Sequence, residues 1–335
     1  MDLLAGLFTR LIDGKARILP ESERGNHLLV EWGEGEEQIL IIGHYDTVWP
    51  AGQRPFRIEG DKAYGPGIYD MKGGLIQGIW ALKALQELKK VNKRVVFLCN
   101  SDEEIGSPTS RPIIEEEARR SKLVLVLEPS IAPLGALKTW RKGIGIFNLE
   151  ITGRAAHAGS DPEKGISAVE ELARQIIKLH AMNDFAKGTT VNVGLMEGGT
   201  RSNVVAARAR AEIDLRVSTQ AEADRVVPAI LGLTPIIQGT TLKITGGMNR
   251  PPMERSEKTE ILFKKAQNIA ETIGLKLYEG GTGGGSDGNF TAALGVPTLD
   301  GLGAVGDGSH AAHEHVILST LPVRSALIAL LIERL

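Results

Sequence analysis

The residues of this chain best suited to catalysis are carboxylates and histidines that follow short apolar runs. Asp102, Glu103 and Glu104 are adjacent and come shortly after the apolar run at residues 95–99. Neighbouring carboxylates repel one another when they leave water, and a bound cation offsets that repulsion. Two adjacent glutamates can also divide the work, one binding metal while the other acts as a general base. The motif therefore predicts metal-assisted hydrolysis, with a solvated acidic turn as the alternative.

Two further apolar runs end in the same kind of side chain. Residues 39–42 lead to His44 and Asp46, and residues 123–127 lead to Glu128. His44 and Asp46 are two apart, so in an extended segment they lie on the same side, where the carboxylate can orient the imidazole. Continuous apolar runs are typical of strands buried on both faces, and open α/β sheets bind ligands at the carboxyl ends of their strands. Three such strands favour a functional site over unrelated turns.

Two more residues complete a donor set. Asp70 follows a glycine-rich segment and precedes a predicted helix, where a carboxylate can be a ligand or only a helix cap. If Asp70 bridges two ions, each ion receives one histidine, one terminal carboxylate, one oxygen of Asp70 and a shared water, as zinc prefers. Nitrogen and oxygen ligands also admit Co²⁺ or Mn²⁺. Glu103 is then the general base that passes the proton of the water to the leaving nitrogen. The predicted metal ligands are His44, Asp70, Glu104, Glu128 and His310.

Composition restricts the alternatives. The 335 residues are 42% hydrophobic and 24% charged with a net charge of −2, which gives no basic surface for nucleic acid or anionic membranes. Cys99 is the only cysteine, so neither an intrachain disulfide nor a thiolate metal cluster is expected. The N-terminus lacks the basic region of a secretory signal, and no stretch approaches the about 20 apolar residues of a membrane span. We expect a cytoplasmic protein that acts on a small molecule.

The pattern of apolar residues predicts two domains. Residues 1–141 and 251–335 are typical of an α/β domain with a doubly wound, mostly parallel sheet. Residues 142–250 instead show alternating strands and two helices, typical of a smaller α+β domain of βαββαβ type whose sheet is exposed on one side. An exposed sheet edge or face favours association, so we expect a homodimer formed through this inserted domain.

The motifs together resemble those of the two-zinc aminoacylase/carboxypeptidase family of metallopeptidases. Within that family the chain is most similar to bacterial glutamate carboxypeptidases of the G type, mainly through residues 55–67 and 282–287. The motifs that carry the family resemblance extend over nearly the whole chain: His44-Tyr45-Asp46-Thr47-Val48, Gly65-Pro66-Gly67, Asp70-Met71-Lys72-Gly73-Gly74, Asp102-Glu103-Glu104-Ile105-Gly106-Ser107, His157-Ala158-Gly159, and His310 with Glu314.

The resemblance implies a role for each matching residue of the metal site. His44 and Glu128 would bind one zinc ion, and Glu104 and His310 would bind the other. Asp70 would lie between the two ions. The resemblance also implies that Asp46 orients His44 and that Glu103 is the base.

For the inserted domain, the resemblance implies a dimerising lid. His157 would reach the active site of the partner subunit and stabilise the tetrahedral oxyanion. Asn203 and Arg216, on strands of this domain, match positions that bind the substrate carboxylate. Arg250 matches a further arginine for the glutamate product, and an arginine fork suits a carboxylate. The alternative for both arginines is an ordinary surface salt bridge.

The chain departs from the family at three places. His44 lies earlier than in the family, which predicts a shortened N-terminus. Ala136 occupies the position of a substrate-side lysine, with Lys138 two residues on, and Ser167 replaces a usual asparagine. Of these three differences, the absence of a lysine at position 136 bears most directly on specificity for glutamate.

The expected function is a zinc carboxypeptidase that cleaves an amide next to a free α-carboxylate and releases a C-terminal amino acid, with glutamate as the first candidate. Three alternatives stay open. One is an N-acyl-amino-acid deacylase of the acetylornithine or succinyl-diaminopimelate type, and another is a dipeptidase. The third is a metal-binding protein without turnover, which would not need a base such as Glu103.

Overall fold

The computed structural model describes residues 1–52, 54–90 and 93–335 of the chain. These residues form two compact units. Unit 1 comprises Met1–Arg141, Met253–Thr282 and Ser286–Leu335, and unit 2 comprises Lys142–Pro252 and Gly283–Gly285.

Both units contain α-helices and β-strands. The helices are α1 (Asp2–Ile12), α2 (Gly73–Glu87), α3 (Arg111–Arg119), α4 (Ala168–His180), α5 (Gln220–Leu231), α6 (Glu257–Glu271), α7 (Gly288–Ala293) and α8 (Leu321–Arg334). The strands are β1 (Lys15–Leu19), β2 (His27–Trp32), β3 (Gln38–His44), β4 (Arg57–Glu59), β5 (Lys62–Tyr64), β6 (Arg94–Asn100), β7 (Ser121–Val126), β8 (Leu137–Arg141), β9 (Gly143–Thr152), β10 (Thr190–Gly198), β11 (Arg208–Val217), β12 (Thr241–Arg250), β13 (Glu279–Thr282), β14 (Thr298–Leu299), β15 (Gly306–Asp307) and β16 (His315–Ile317). Within the described ranges, no helix is long and apolar enough to cross a membrane.

The largest sheet of unit 1 has the strand order β1-β2-β6-β3-β7-β14. Its central strands β6, β3 and β7 are the three apolar runs of the sequence, and they are mutually parallel. β14 is parallel to β7, whereas β1 and β2 are antiparallel additions at the other edge. The predicted α/β class with a mostly parallel sheet is confirmed.

Helices cover both faces of this sheet, which explains the unbroken apolar runs. Alternate side chains of β3, such as Ile39 and Ile41, face a core built with α1, α2, α6 and α8. The intervening Leu40 and Ile42 face a second core built with α3 and α7. Because every position of the strand is buried, no polar alternation remains in its sequence. Polar side chains therefore appear only where the strands end.

Unit 2 is built around the antiparallel sheet β10-β11-β9-β12. The elements follow one another as β9, α4, β10, β11, α5 and β12, which is the βαββαβ order predicted from the sequence. Alternate residues of β9 face a core shared with α4 and α5, while Ile146 on the same strand is exposed. Strand β11 begins at Arg208. Asn203 therefore lies in the turn before β11 and not on a strand, which corrects that expectation.

Candidate metal centre

Side chains from separate loops converge at the carboxyl edge of the unit 1 sheet. His44 Nε2 lies 3.3 Å from Asp70 Oδ1 and 3.3 Å from Glu128 Oε1. His310 Nε2 lies 3.1 Å from Glu104 Oε2 and 3.6 Å from Asp70 Oδ2. The five predicted ligands thus form two donor groups that share Asp70, and each oxygen of Asp70 faces a different histidine.

Two buried atoms indicate that these groups fit metal ions. His44 Nε2 and Glu104 Oε1 are buried and make no hydrogen bond within the described part of the chain. A buried polar atom without a partner is costly, and a cation is the partner that both an imidazole nitrogen and a carboxylate oxygen accept. The ligand atoms of each group lie within 4.8 Å of one another. The donors are nitrogen and oxygen only, which suits Zn²⁺, Co²⁺ or Mn²⁺.

The crowding of charge shifts the pKa values in the metal-free protein. Burial lowers the pKa of His44, but the carboxylates of Asp46, Asp70 and Glu128 outweigh burial and raise the pKa well above its ordinary value. Burial raises the pKa of Glu104 to about 7, and although the charge on His44 opposes this rise, that of Asp70 adds to it. Both groups therefore hold protons that a metal ion must displace.

Metal affinity should consequently rise with pH. Because the raised pKa values of His44 and Glu104 keep these ligands protonated, protons compete with the metal below about pH 7. We expect the apparent dissociation constant for Zn²⁺ to fall about tenfold or more for each pH unit gained below neutrality. Competition with a fluorescent chelator across this range measures the effect. A flat profile would show that neither ligand is protonated before metal binds.

The three adjacent acids have different surroundings. Asp102 accepts hydrogen bonds from the main chain and hydroxyl groups of Thr109 and Ser110, at 2.5–3.2 Å, and so organises the loop that follows β6. Glu104 belongs to a donor group, whereas Glu103 lies outside both groups with Oε2 3.9 Å from His44 Nε2. Asp102 therefore stabilises the loop, Glu103 lies beside the metal donors, and Glu104 is a candidate ligand.

Asp46 contacts His44 in two ways. His44 Nδ1 lies 3.1 Å from the main-chain oxygen of Asp46 and 3.4 Å from its carboxylate Oδ1. The carboxylate Oδ2 accepts a hydrogen bond of 3.0 Å from the main-chain N–H of Glu104. The main-chain oxygen is therefore the nearer acceptor for the imidazole, and the carboxylate also connects the loops that carry the two ligands.

Sequence reasoning missed a buried ion-pair network behind Glu128. Arg141 donates to both oxygens of Asp300, at 2.8 Å and 2.7 Å, and its Nη2 also lies 3.0 Å from Glu128 Oε2. Burial would raise the pKa of Glu128, but the charges of Arg141, His44 and Lys138 together outweigh burial and hold that pKa well below its usual range. Lys138 Nζ lies 4.0 Å from the same oxygen. One signal was available, because Asp300 directly follows the mostly apolar residues 296–299, much as Glu128 follows its own apolar run.

The remaining predicted residues lie in unit 2. His157 is exposed, and its Nδ1 accepts hydrogen bonds from the main-chain N–H groups of Gly159 and Ser160. Because Nδ1 accepts both N–H groups, the ring N–H lies on Nε2, which is available as a donor. The main-chain oxygen of Asn203 accepts a hydrogen bond from Ala158, so the loops of His157 and Asn203 are neighbours.

The two arginines of unit 2 differ in their surroundings. Arg216 forms a forked ion pair with Asp214, at 2.9 Å, and its Nη1 donates to the main-chain oxygen of Gly283. Arg250 is buried at the end of β12, with Gly285 packed against its side chain. Arg250 is therefore buried, whereas Arg216 is partly exposed and forms the kind of ion pair that was the alternative for it.

A doubly wound sheet with paired metal-ligand groups and a βαββαβ insertion defines a metal-dependent hydrolase. The chain belongs to Peptidase family M20/M25/M40, whose sequence profile matches residues 40–334. The predicted metallopeptidase family is therefore confirmed, and with it the expectation of an enzyme.

Similar proteins are found among curated sequences and among solved structures. Carboxypeptidase G2 of Pseudomonas sp. (strain RS-16) is 34% identical over 308 residues, which are 90% of this chain and 74% of that protein. Acetylornithine deacetylase of Proteus mirabilis is 31% identical over 219 residues, 59% of this chain and only 54% of that protein. The aminopeptidase PepT of Bacillus cereus has a TM-score of 0.80 at 24% identity, covering 99% of this chain and 91% of its own. An M20 metallo-carboxypeptidase of Sulfolobus solfataricus has a TM-score of 0.78 at 18% identity, and the match covers 99% of this chain and 92% of that chain. Both structures support the fold.

Proposed function

We propose that this enzyme is a two-zinc carboxypeptidase that cleaves an amide bond next to a free α-carboxylate and releases a C-terminal amino acid, with glutamate as the first candidate. The observation that carries the proposal is the pair of donor groups that share Asp70, with Glu103 beside them and outside both. The similarity to carboxypeptidase G2 supports the choice of a carboxypeptidase reaction.

The residues of the chain divide the work of hydrolysis. His44, Asp70 and Glu128 would hold one ion, and Asp70, Glu104 and His310 the other. When bound, such ions polarise the scissile carbonyl and acidify the attacking water. Glu103 accepts the proton of that water and delivers it to the leaving nitrogen. Asp46 keeps the His44 proton on Nδ1, so that Nε2 is available as a ligand.

Unit 2 is assigned to substrate binding and dimerisation. Arg216, Asn203 and Arg250 would bind the carboxylates of the substrate, and His157 would donate its Nε2 proton to the oxyanion in the partner's site. The exposed Leu195 and Met196 on edge strand β10 support a homodimer formed through this unit. Light scattering after gel filtration should give twice the mass of the chain.

A second candidate is an N-acyl-amino-acid deacylase that uses the same metal centre with a different acyl pocket. The acetylornithine deacetylases among the relatives support it, at 28–32% identity. The alanine at position 136, where the G-type enzymes have a substrate-side lysine, also weakens the case for glutamate.

Metal content measured together with a hydrolysis screen separates these candidates. The screen uses N-acyl-glutamates, folyl-glutamate, N-acetylornithine and dipeptides. We expect nearly two zinc ions per chain and fastest release of glutamate. His310→Ala should lose metal, whereas His313→Ala, in the same loop but outside both donor groups, is the matched control. Fastest release of acetate would replace the first candidate by the second, and absence of both metal and turnover after adding zinc would refute the proposal.

A further inference from the structure

Glu314 is a buried carboxylate that belongs to neither donor group. Its Oε2 accepts hydrogen bonds from the indole N–H of Trp49, at 2.7 Å, and from the main-chain N–H of Gly67, at 2.9 Å. Its Oε1 accepts from the main-chain N–H groups of Tyr69, at 3.0 Å, and Asp70, at 3.1 Å. Four N–H donors therefore surround one carboxyl side chain.

These contacts join three loops of the metal centre. Asp70 is the shared member of both donor groups, and Trp49 lies five residues after His44. Glu314 itself follows His310 by four residues. Hydrogen bonds to a charged acceptor are stronger than those between neutral groups, so a single carboxylate can hold the three loops together.

The main chain at Asp70 needs such an external anchor. Within the helical segment Ile68–Lys72, Asp70 has φ −114° and ψ 92°, which are not helical values. Its N–H is instead bound by Glu314. The side chain of Asp70 must present one oxygen to His44 and the other to His310. A shift or rotation of the main chain at this point would withdraw both oxygens at once.

We propose that Glu314 is a positioning residue that sets the affinity of the metal centre by fixing the main chain at Asp70. The inference rests on the proposed two-metal function and adds to it a residue that touches neither metal nor substrate. Binding of the second ion depends most on Glu314, because only the second ion requires both oxygens of Asp70 to be in place.

Metal titration of the purified full-length protein tests this role. Glu314→Gln keeps the shape of the side chain, removes its charge and turns an amide group toward N–H donors. We expect its affinity for the second Zn²⁺ to fall about 10–100-fold in chelator competition, with an altered visible spectrum of the Co²⁺-loaded protein. Trp49→Phe removes one donor outside the Asp70 segment and should weaken binding about fivefold. Glu59→Gln, an exposed carboxylate bonded to Arg57, is the matched control and should change neither reading.

Each outcome decides a separate question. A folded Glu314→Gln protein, by circular dichroism, with wild-type affinity and Co²⁺ spectrum would overturn the positioning role while leaving the two-metal proposal intact. Failure of the wild-type protein to bind two ions would instead overturn the proposed function. If Glu314→Gln does not fold, Trp49→Phe decides, because unchanged metal affinity in that variant contradicts the role and weakened affinity supports it.

Discussion

Replacement of Glu103 by glutamine is expected to slow hydrolysis by about 10²–10⁴-fold while the metal content stays unchanged. Glutamine has nearly the same shape but cannot accept the proton of the attacking water. Metal should be retained because Glu103 lies outside both donor groups, with its Oε2 3.9 Å from His44 Nε2. The turnover number on the best substrate and the metal content of the same sample provide the measurement.

The adjacent residue provides the matched control for this variant. Glu104→Gln alters a ligand, 3.1 Å from His310, and should therefore lose metal as well as activity. Turnover within about threefold of the wild-type value would remove Glu103 from the mechanism.

Replacement of Arg141 by methionine is expected to destabilise the metal-free protein by about 3–5 kcal/mol. Arg141 and Asp300 are both buried, and the guanidinium is the charged partner that binds both oxygens of Asp300. Removing it takes away the guanidinium that binds Asp300 and leaves Lys138 Nζ, 4.0 Å away, as the cation beside Glu128 Oε2. The cost is therefore mainly the desolvation of charges that have lost their partner.

Tryptophan fluorescence during urea unfolding reports this effect selectively. The four tryptophans, at positions 32, 49, 80 and 140, all lie in unit 1, as does Arg141. The control is Arg94→Met, which breaks an exposed ion pair with Glu31 in the same unit and should cost less than about 1 kcal/mol. The double variant Arg141→Met with Asp300→Leu removes both charges and should recover part of the loss. Equal stability of Arg141→Met and Arg94→Met would contradict the assigned role of the buried pair.

Much of the metal centre could be predicted from the sequence because its ligands follow a local rule. A strand covered on both faces must be apolar throughout, so the first polar residues after it mark its carboxyl end. His44, Glu104 and Glu128 were found in this way, from runs that form the adjacent strands β3, β6 and β7. The βαββαβ order of unit 2 was likewise predicted, since an exposed sheet face leaves a clear alternation along β9.

The partners of these ligands were decided only by the tertiary structure. Arg141 and Asp300 are 159 residues apart, and Glu314 and Asp70 are 244 residues apart. No local pattern relates such positions, because a buried charge is compatible with any segment that brings an opposite charge or N–H donors to it. Glu104 likewise has a distant partner in His310, whereas Asp102 is bound by Thr109 and Ser110, which lie only seven and eight residues further along the chain. The sequence by itself determined where the metal ligands lie, because burial along a strand is a local property. Long-range packing decided which side chains hold those ligands in place, because the pairing of buried charges is not local.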